Sequence, residues 1–127
     1  MEHSRDKRTN RRIAMEAGVE IEVIACTARP DMKGHRCAGR TRDVALCGLQ
    51  LETETSLPEG AVVEIVVQLE KGEKPFTVTL TGDVIWTDHF FGNKPVAGVF
   101  LRDRPRQPMR VWMDTITEQL SEHCSTP

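Results

Sequence analysis

The fold is decided by the stretch FTVTLTGDVIW, residues 76–86, in which apolar and polar side chains alternate. One phase of the alternation carries the apolar side chains Phe76, Val78, Leu80, Val84 and Trp86. The other phase carries three threonines. A period of two residues is typical of a β-strand with one face on a core and the other in water. Gly82 interrupts the alternation, and we expect a bend or a bulge there.

Strand patterns of the same kind lie on both sides of this stretch. Apolar side chains alternate in residues 63–69, and a glycine turn joins that segment to residues 76–86 as a predicted hairpin. Residues 19–23 and 43–53 alternate in the same way, and residues 96–101 form a last β-rich run. Roughly six strands with short connections predict a mainly β protein, an antiparallel barrel or sandwich.

The final segment changes from the period of a strand to the period of a helix. Its apolar side chains recur at helical spacing, at Met109, Trp112, Met113, Ile116 and Leu120. Pro108 suits the first turn of such a helix. We therefore predict one amphipathic C-terminal helix that caps the barrel.

A chain of 127 residues can bury one hydrophobic core but not two, so we expect a single domain. Residues 1–17 are polar and basic without sustained periodicity, which predicts a flexible N-terminal arm. Residues 18–121 then form the barrel with its helix, and residues 122–127 form a short tail.

The formal net charge of −2 argues against a general nucleic-acid coat protein, because such proteins are strongly basic. The charge is distributed unevenly, and the arm concentrates the cations Arg5, Lys7, Arg8, Arg11 and Arg12. Apolar stretches stay far below the roughly 18 to 20 residues that a membrane helix needs. The four cysteines show no C-x-x-C spacing, which favours a reduced, cytoplasmic setting.

Arg8 and Arg12 stand four residues apart where the arm meets the first predicted strand. Two guanidinium groups at this place can converge on one polyanion, because the planar fork of Arg bonds phosphate or a guanine edge through two hydrogen bonds. On its own, the pair is explained more simply as a solvated basic tail. Lys7 and Arg11 are accessory candidates with the same simple alternative.

A second cluster is DVALCG, residues 43–48, on the approach to a predicted strand. The carboxylate of Asp43 can accept hydrogen bonds from guanine N–H donors, and Gly48 lets a ligand approach the backbone closely. On its own, this pattern also has a structural explanation, since Asp is common in turns and Gly in bulges.

Together, the two clusters resemble the signature of the PilZ family, R-x-x-x-R followed some tens of residues later by [D/N]-x-S-x-x-G. Arg8 and Arg12 fill the two arginine positions, and the apolar Ile13 follows the second arginine as is usual there. Asp43 and Gly48 fill the two ends of the second motif.

Residues 82–86 and 98–100 also look like the closing strands of this family, so the resemblance covers nearly the whole chain. It implies a six-stranded antiparallel PilZ-type β-barrel with a C-terminal helix. It further implies a cytoplasmic, non-enzymatic receptor for the bacterial second messenger cyclic di-GMP, with no cofactor and no metal.

The resemblance also implies roles for the motif residues. Arg8 and Arg12 would engage phosphates and guanine faces or edges while the arm folds onto the barrel, and Asp43 would fix a base. An arm ordered in this way would present a new surface to a protein partner in motility, secretion or polysaccharide synthesis.

Ala45 stands where the family most often has Ser, so one hydroxyl donor is missing from the second motif. If that hydroxyl contacts the ligand, its loss weakens binding by about tenfold to hundredfold. The alternative function is therefore a degenerate PilZ-like protein-interaction module that does not bind the nucleotide. The intact Arg8 and Arg12 favour the receptor, because a domain that abandoned the ligand would be free to lose them.

Metal binding and catalysis find little support in the sequence. His35 with Cys37, and His123 with Cys124, lack the ligand spacing of a structural zinc module. No Ser, Cys or His lies in a recognisable nucleophile motif.

Binding of single-stranded RNA would need exposed aromatic side chains on which bases stack. The chain has no Tyr, and we expect its four Phe to be buried. Trp86 and Trp112 are likewise expected in the core.

Overall fold

The computed structural model describes residues 13–45, 47–71, 73–89 and 94–102, together with Trp112, Asp114 and Thr115. Seven strands and one short 3-10 helix form in this part of the chain. Their bounds are β1 Ile13–Ala14, β2 Gly18–Ala25, the 3-10 helix Pro30–Met32, β3 Arg36–Ala45, β4 Gly48–Thr53, β5 Val62–Lys71, β6 Lys74–His89 and β7 Pro95–Leu101.

Six of the strands form a closed ring in which every pairing is antiparallel. The order around the ring is β3, β2, β5, β6, β7 and β4, and β4 pairs again with β3. The two-residue β1 is added to the ring by pairing with β3. A closed sheet leaves no long free edge for pairing with other chains. The prediction of a mainly β antiparallel barrel is therefore confirmed.

The core fills the ring with the apolar phase of each strand. In β5 the side chains of Val63, Ile65 and Val67 are completely buried, as the alternation predicts. The hairpin between β5 and β6 is also confirmed, with Ile65 opposite Leu80 and Lys71 opposite Lys74. Full burial of a side chain of this size contributes about 1.5–3 kcal/mol, so the alternation itself stabilises the closed sheet.

The segment 43–53, predicted as one strand, consists of the end of β3, a tight reversal and β4. The reversal lies between Ala45 and Gly48, which face each other across the hairpin. No Pro or Asn marks this turn in the sequence, and the apolar side chains continue through it. The second predicted motif therefore lies at the tip of a hairpin.

The irregularity expected at Gly82 occurs three residues later, where Ile85 is bulged out of the pairing between β6 and β7. Gly82 itself remains paired and has a different reason to be glycine. A Cβ at this position would lie 2.8 Å from the carbonyl oxygen of Phe100 and 2.5 Å from a methyl carbon of Val99. The close approach of β7, and not a bend, excludes a side chain there.

Thr41 on β3 binds the short segment that connects β1 to β2. Its side chain is completely buried, and its hydroxyl donates to the carbonyl of Met15 and accepts from the Ala17 N–H at 2.9 Å. The backbone N–H of Thr41 donates to the carbonyl of Ala17 at 2.9 Å. Residues 15–17, which the sequence assigns to the arm, are thus held along β3.

The predicted helix and tail, and residues 1–12 of the arm, lie almost entirely outside the described residues. In the helical segment, Trp112 is described and its side chain is completely buried in the core. The helix from Pro108 to Leu120 and the tail 122–127 remain predictions.

Gly39 gives a direct test of how closely the ring is closed. A Cβ at Gly39 would lie 2.3 Å from the carbonyl oxygen of Glu52 on the paired strand β4. Gly39→Ala should therefore lower the free energy of unfolding by about 1–3 kcal/mol in urea titrations followed by circular dichroism.

Gly18→Ala is the matched control, because its Cβ would meet only the side chain of Gln68, at 3.4 Å. That change should stay within about 0.5 kcal/mol of the parent protein. Equal stability of the two variants would contradict the close packing of β3 on β4.

Candidate functional site

The β3–β4 hairpin brings the residues of the second motif to one end of the barrel. Ala45 is opposite Gly48 in this hairpin, and Asp43 is opposite Gln50. On its other side β4 pairs with β7, which places Gly48 beside Phe100 and Gln50 beside Gly98. The motif therefore borders a surface that β3, β4 and β7 share.

A depression of about 170 Å³ lies on this surface. Its lining combines a carboxylate and an amide, two small residues and three large apolar side chains, namely Asp43, Gln50, Ala45, Gly48, Ile85, Trp86 and Phe100. The sequence-predicted residues Asp43, Ala45 and Gly48 are thus brought together in one place. Complete pockets for small molecules usually enclose about 300–1,000 Å³, so this depression covers only part of a large ligand.

Asp43 and Gln50 form the polar wall of the depression. Both side chains are half-buried. As direct cross-strand neighbours, their Cβ atoms lie about 4.5–5.5 Å apart. Within the described part of the chain, neither side chain has a hydrogen bond or an ion pair. Among the described residues, the pair therefore offers a carboxylate and an amide side by side without another partner.

Trp86 lines the depression on the side opposite to Asp43 and Gln50. The prediction that Trp86 lies in the core is therefore wrong. It is half-buried and pairs with Gly98 on β7. A Cβ at Gly98 would lie 2.1 Å from Nε1, 2.3 Å from Cε2 and 2.8 Å from Cδ1 of the indole. Atoms on both sides of Nε1 are this close because the face of the ring covers the glycine.

The bulge at Ile85 explains why the sequence pattern misplaces Trp86. Val84 pairs with Val99 in the core, and the next pair along β6 is Trp86 with Gly98. The extra residue moves Trp86 from the inner phase to the outer phase of the strand. Gly98 then provides the space in which the indole lies on the sheet.

Ile85 and Phe100 form an apolar rim at the depression. They are 58% and 51% exposed, so the expectation that all Phe are buried is wrong for Phe100. Beside this rim, Arg102 donates two hydrogen bonds of 2.8 Å to Asp83. These hydrogen bonds raise the pKa of Arg102 above its ordinary value, so the guanidinium remains charged.

Ala45 connects the depression to the core. Its side chain is 7% exposed at the lining, and its carbonyl accepts a hydrogen bond from Nε1 of Trp112 at 3.1 Å. The prediction that Trp112 belongs to the core is confirmed. The tip of the hairpin is therefore fixed from the inside while its outer face borders the depression.

Gly48 has a structural reason that the motif alone does not reveal. A Cβ there would lie 3.1 Å from the carbonyl oxygen of Val99. Glycine at this position therefore lets β4 and β7 lie closer together than a residue with a side chain would. The same absence of a side chain keeps the depression open at this point. The structural reason for Gly48 is therefore the close approach of β7 and not a bulge. Its role in ligand binding stays a prediction.

The residues of the first motif, Arg8 and Arg12, and the accessory candidates Lys7 and Arg11 lie outside the described residues. Their point of attachment is described. Ile13, the residue after Arg12, is opposite Val44, and Ala14 is opposite Asp43. The arm therefore joins the barrel directly beside the second motif.

Other chemistry is sparse in the part of the chain that the structure describes. No three His, Cys, Asp or Glu side chains there lie close enough to hold a metal ion. His35, one of the residues weighed as a ligand, contacts the hydroxyl of Thr55 at 2.9 Å. Among the same residues, no helix is both long and apolar enough to cross a membrane.

The sequence analysis missed two residues of the site, Gln50 and the platform formed by Trp86. Gln50 had a usable signal, because it lies two residues after Gly48 and therefore on the same face of β4. Trp86 had none, since a single inserted residue such as Ile85 cannot be recognised from alternation alone.

The sequence matches no protein-family model and no curated protein. Among the solved structures that match is the inhibitor of motility (MotI/DgrA) of Bacillus subtilis, with 11% sequence identity and a TM-score of 0.65. The match covers 87% of this chain and 49% of the Bacillus chain, so this chain spans about half the length of that protein. At this identity the likeness is one of fold. The chain has a mainly β, PilZ-like barrel fold.

Proposed function

We propose that this chain is a PilZ-type receptor for cyclic di-GMP, without catalytic activity, that signals to a protein partner. The observation that carries the proposal is the register of β1 on β3. Ile13 lies opposite Val44, between Asp43 and Ala45 in the second motif. The residue that directly follows the first motif in sequence therefore lies beside the second motif on the barrel.

The reach of the chain supports a joint site. The Cα of Arg12 lies about 3.8 Å from that of Ile13, whatever backbone conformation connects them. Arg8 is five residues from Ile13, so its Cα is at most about 18 Å away. Both guanidinium groups can thus extend over a ligand seated against Asp43.

The charges of the depression support a division of roles between barrel and arm. Its lining contains one carboxylate, Asp43, and no cation among the described residues. A cyclic dinucleotide carries two phosphates, which need positive partners in a partly buried site. In the proposed complex, Asp43 accepts from a guanine while Arg8 and Arg12 bind the phosphates or stack on the second base. Lys7 and Arg11 add to the positive field.

The platform of Trp86 supplies the apolar contact that a base requires. One face of its indole lies on Gly98, and the half-buried side chain borders the depression. A guanine can therefore stack on the outer face of the ring. Stacking of a base on an aromatic side chain contributes about 1–3 kcal/mol.

The proposed output is the position of the arm. A ligand that draws Arg8 and Arg12 over the depression changes the surface beside the exposed Ile85 and Phe100. The Bacillus protein of similar fold is by name an inhibitor of motility. We propose a comparable regulatory role for this chain in the cytoplasm, on a partner in motility, secretion or polysaccharide synthesis.

A second candidate is a protein-interaction module that no longer binds the nucleotide, and Ala45 is the observation that favours it. The residue borders the depression, so a hydroxyl there would be close to a bound ligand. In that case the exposed rim would serve a partner directly. The two candidates differ in whether the purified protein binds cyclic di-GMP.

Titration calorimetry of the purified full chain with cyclic di-GMP tests the proposal. We expect saturable heat with cyclic di-GMP and none with GTP or GMP at equal concentration. Arg12→Ala should abolish the heat, because the depression then loses a phosphate partner. Arg36→Ala is the matched control, since Arg36 pairs with Glu22 at 3.2 Å away from the depression. No heat at high micromolar ligand would contradict the receptor function.

Ala45→Ser tests whether the missing hydroxyl matters. The added group restores the family pattern and offers one donor to the ligand, so the affinity for cyclic di-GMP should be equal or up to about hundredfold higher. The comparison uses the same calorimetric titration. A clearly weaker Ala45→Ser variant would show that the hydroxyl does not face the ligand.

Two substitutions of Trp86 distinguish stacking of a base on the ring from simple apolar contact with a large side chain. Trp86→Leu keeps an apolar side chain and loses the ring, so the dissociation constant for cyclic di-GMP should rise about tenfold or more. Trp86→Phe keeps an aromatic face, so its affinity for cyclic di-GMP should fall much less. Equal losses in the two variants would exclude stacking as the contribution of Trp86.

A further inference from the structure

Four residues of the outer face lie in one lateral row across the sheet. Asp43 on β3 is opposite Gln50 on β4, Gln50 is opposite Gly98 on β7, and Gly98 is opposite Trp86 on β6. All four border the same depression. The row thus sets a carboxylate, an amide and an indole platform at one level of the barrel.

We propose that Gln50 is a specificity-determining residue which, together with Asp43, selects guanine over adenine in the bound dinucleotide. This inference rests on the proposed function and extends it to the choice of base. Gln50 belongs to neither of the two sequence motifs.

The hydrogen-bonding groups of the pair complement one edge of guanine. That edge carries the donors N1–H and N2–H and, beside them, the acceptor O6. The carboxylate of Asp43 accepts from the two donors, and the amide N–H of Gln50 donates to O6. The cross-strand spacing places the two groups side by side, as the neighbouring atoms of the base require.

Adenine does not fit the same pair. The edge of adenine has an acceptor at N1 and a donor at N6, and it has no donor in place of N2–H. The acceptor N1 would then face the carboxylate of Asp43, which would remain without a hydrogen bond even if the amide oxygen of Gln50 accepted from N6–H. A site built to bond particular polar groups rejects an analogue that lacks them, because its own polar groups are left unpaired.

The surroundings of Gln50 distinguish it from an ordinary solvated strand residue. Its side chain is half-buried against the depression and has no hydrogen bond within the described residues. Gln68 on β5 shows the ordinary case, since it is exposed and lies opposite Thr77 on the sheet surface away from the depression.

The test measures the affinities of the full chain for cyclic di-GMP and for cyclic di-AMP, which differ in the bases alone. For the parent protein we expect cyclic di-GMP to bind at least about tenfold more tightly. Gln50→Leu should weaken the binding of cyclic di-GMP about tenfold and leave the binding of cyclic di-AMP unchanged, so the ratio of the two affinities becomes smaller. Gln50→Glu should reduce the ratio of the two affinities further, because a carboxylate repels O6 of guanine and accepts from N6–H of adenine.

Gln68→Leu and Gln68→Glu are the matched controls and should keep the parent ratio. A second measurement needs no variant: the side-chain amide signals of Gln50 in NMR spectra should shift with cyclic di-GMP, and those of Gln68 should not. If cyclic di-GMP binds but both Gln50 variants keep the parent ratio within about twofold, the inference is overturned while the proposed function stands. If the parent protein binds neither dinucleotide, the proposed function itself fails.

Discussion

The double pairing of β4 is the constraint on which the rest of the structure depends. This strand hydrogen-bonds to β3 along one edge and to β7 along the other, and it thereby closes the ring. In a closed ring every strand has a neighbour on both sides, and a shift of a whole strand by one residue would turn its apolar side chains outward. Closure therefore determines which side chains remain available on the outer face.

The same closure assembles the site from distant parts of the chain. Asp43 and Trp86 lie on strands that are not consecutive in sequence, and β4 and β7 connect them laterally. Glycines permit this arrangement at two points: Gly48 lets β4 approach β7, and Gly98 gives the indole of Trp86 a place on the sheet. A larger side chain at either position would disturb both the packing of the barrel and the shape of the depression.

The sequence predicted those parts of the fold that depend on alternation. It predicted the barrel, the β5–β6 hairpin and the burial of Trp112, because each rests on an uninterrupted pattern of apolar residues. It did not predict the reversal after Ala45 or the bulge at Ile85. At both places one or two residues change the alternation of inward and outward side chains, and no Pro or Asn marks the change. Asp43, Ala45 and Gly48 of the candidate site were identified through the resemblance to a family motif. Gln50 lies outside that motif and was overlooked, although its position two residues after Gly48 puts it on the same face of the strand.

The attachment of the arm has a further consequence for how a signal would be transmitted. Hydrogen bonds around Thr41 hold residues 15–17 to β3, and the pairing of Ile13 with Val44 carries this support to the edge of the depression. The arm before Ile13 therefore starts from a fixed point, which lowers the entropy lost when its arginines bind a ligand there. In the proposed complex the arginines of the arm supply the phosphate contacts, because the lining of the depression contains no cation among the described residues. Binding and arm position are then thermodynamically linked, since a contact that strengthens ligand binding equally stabilises the arm in its bound position.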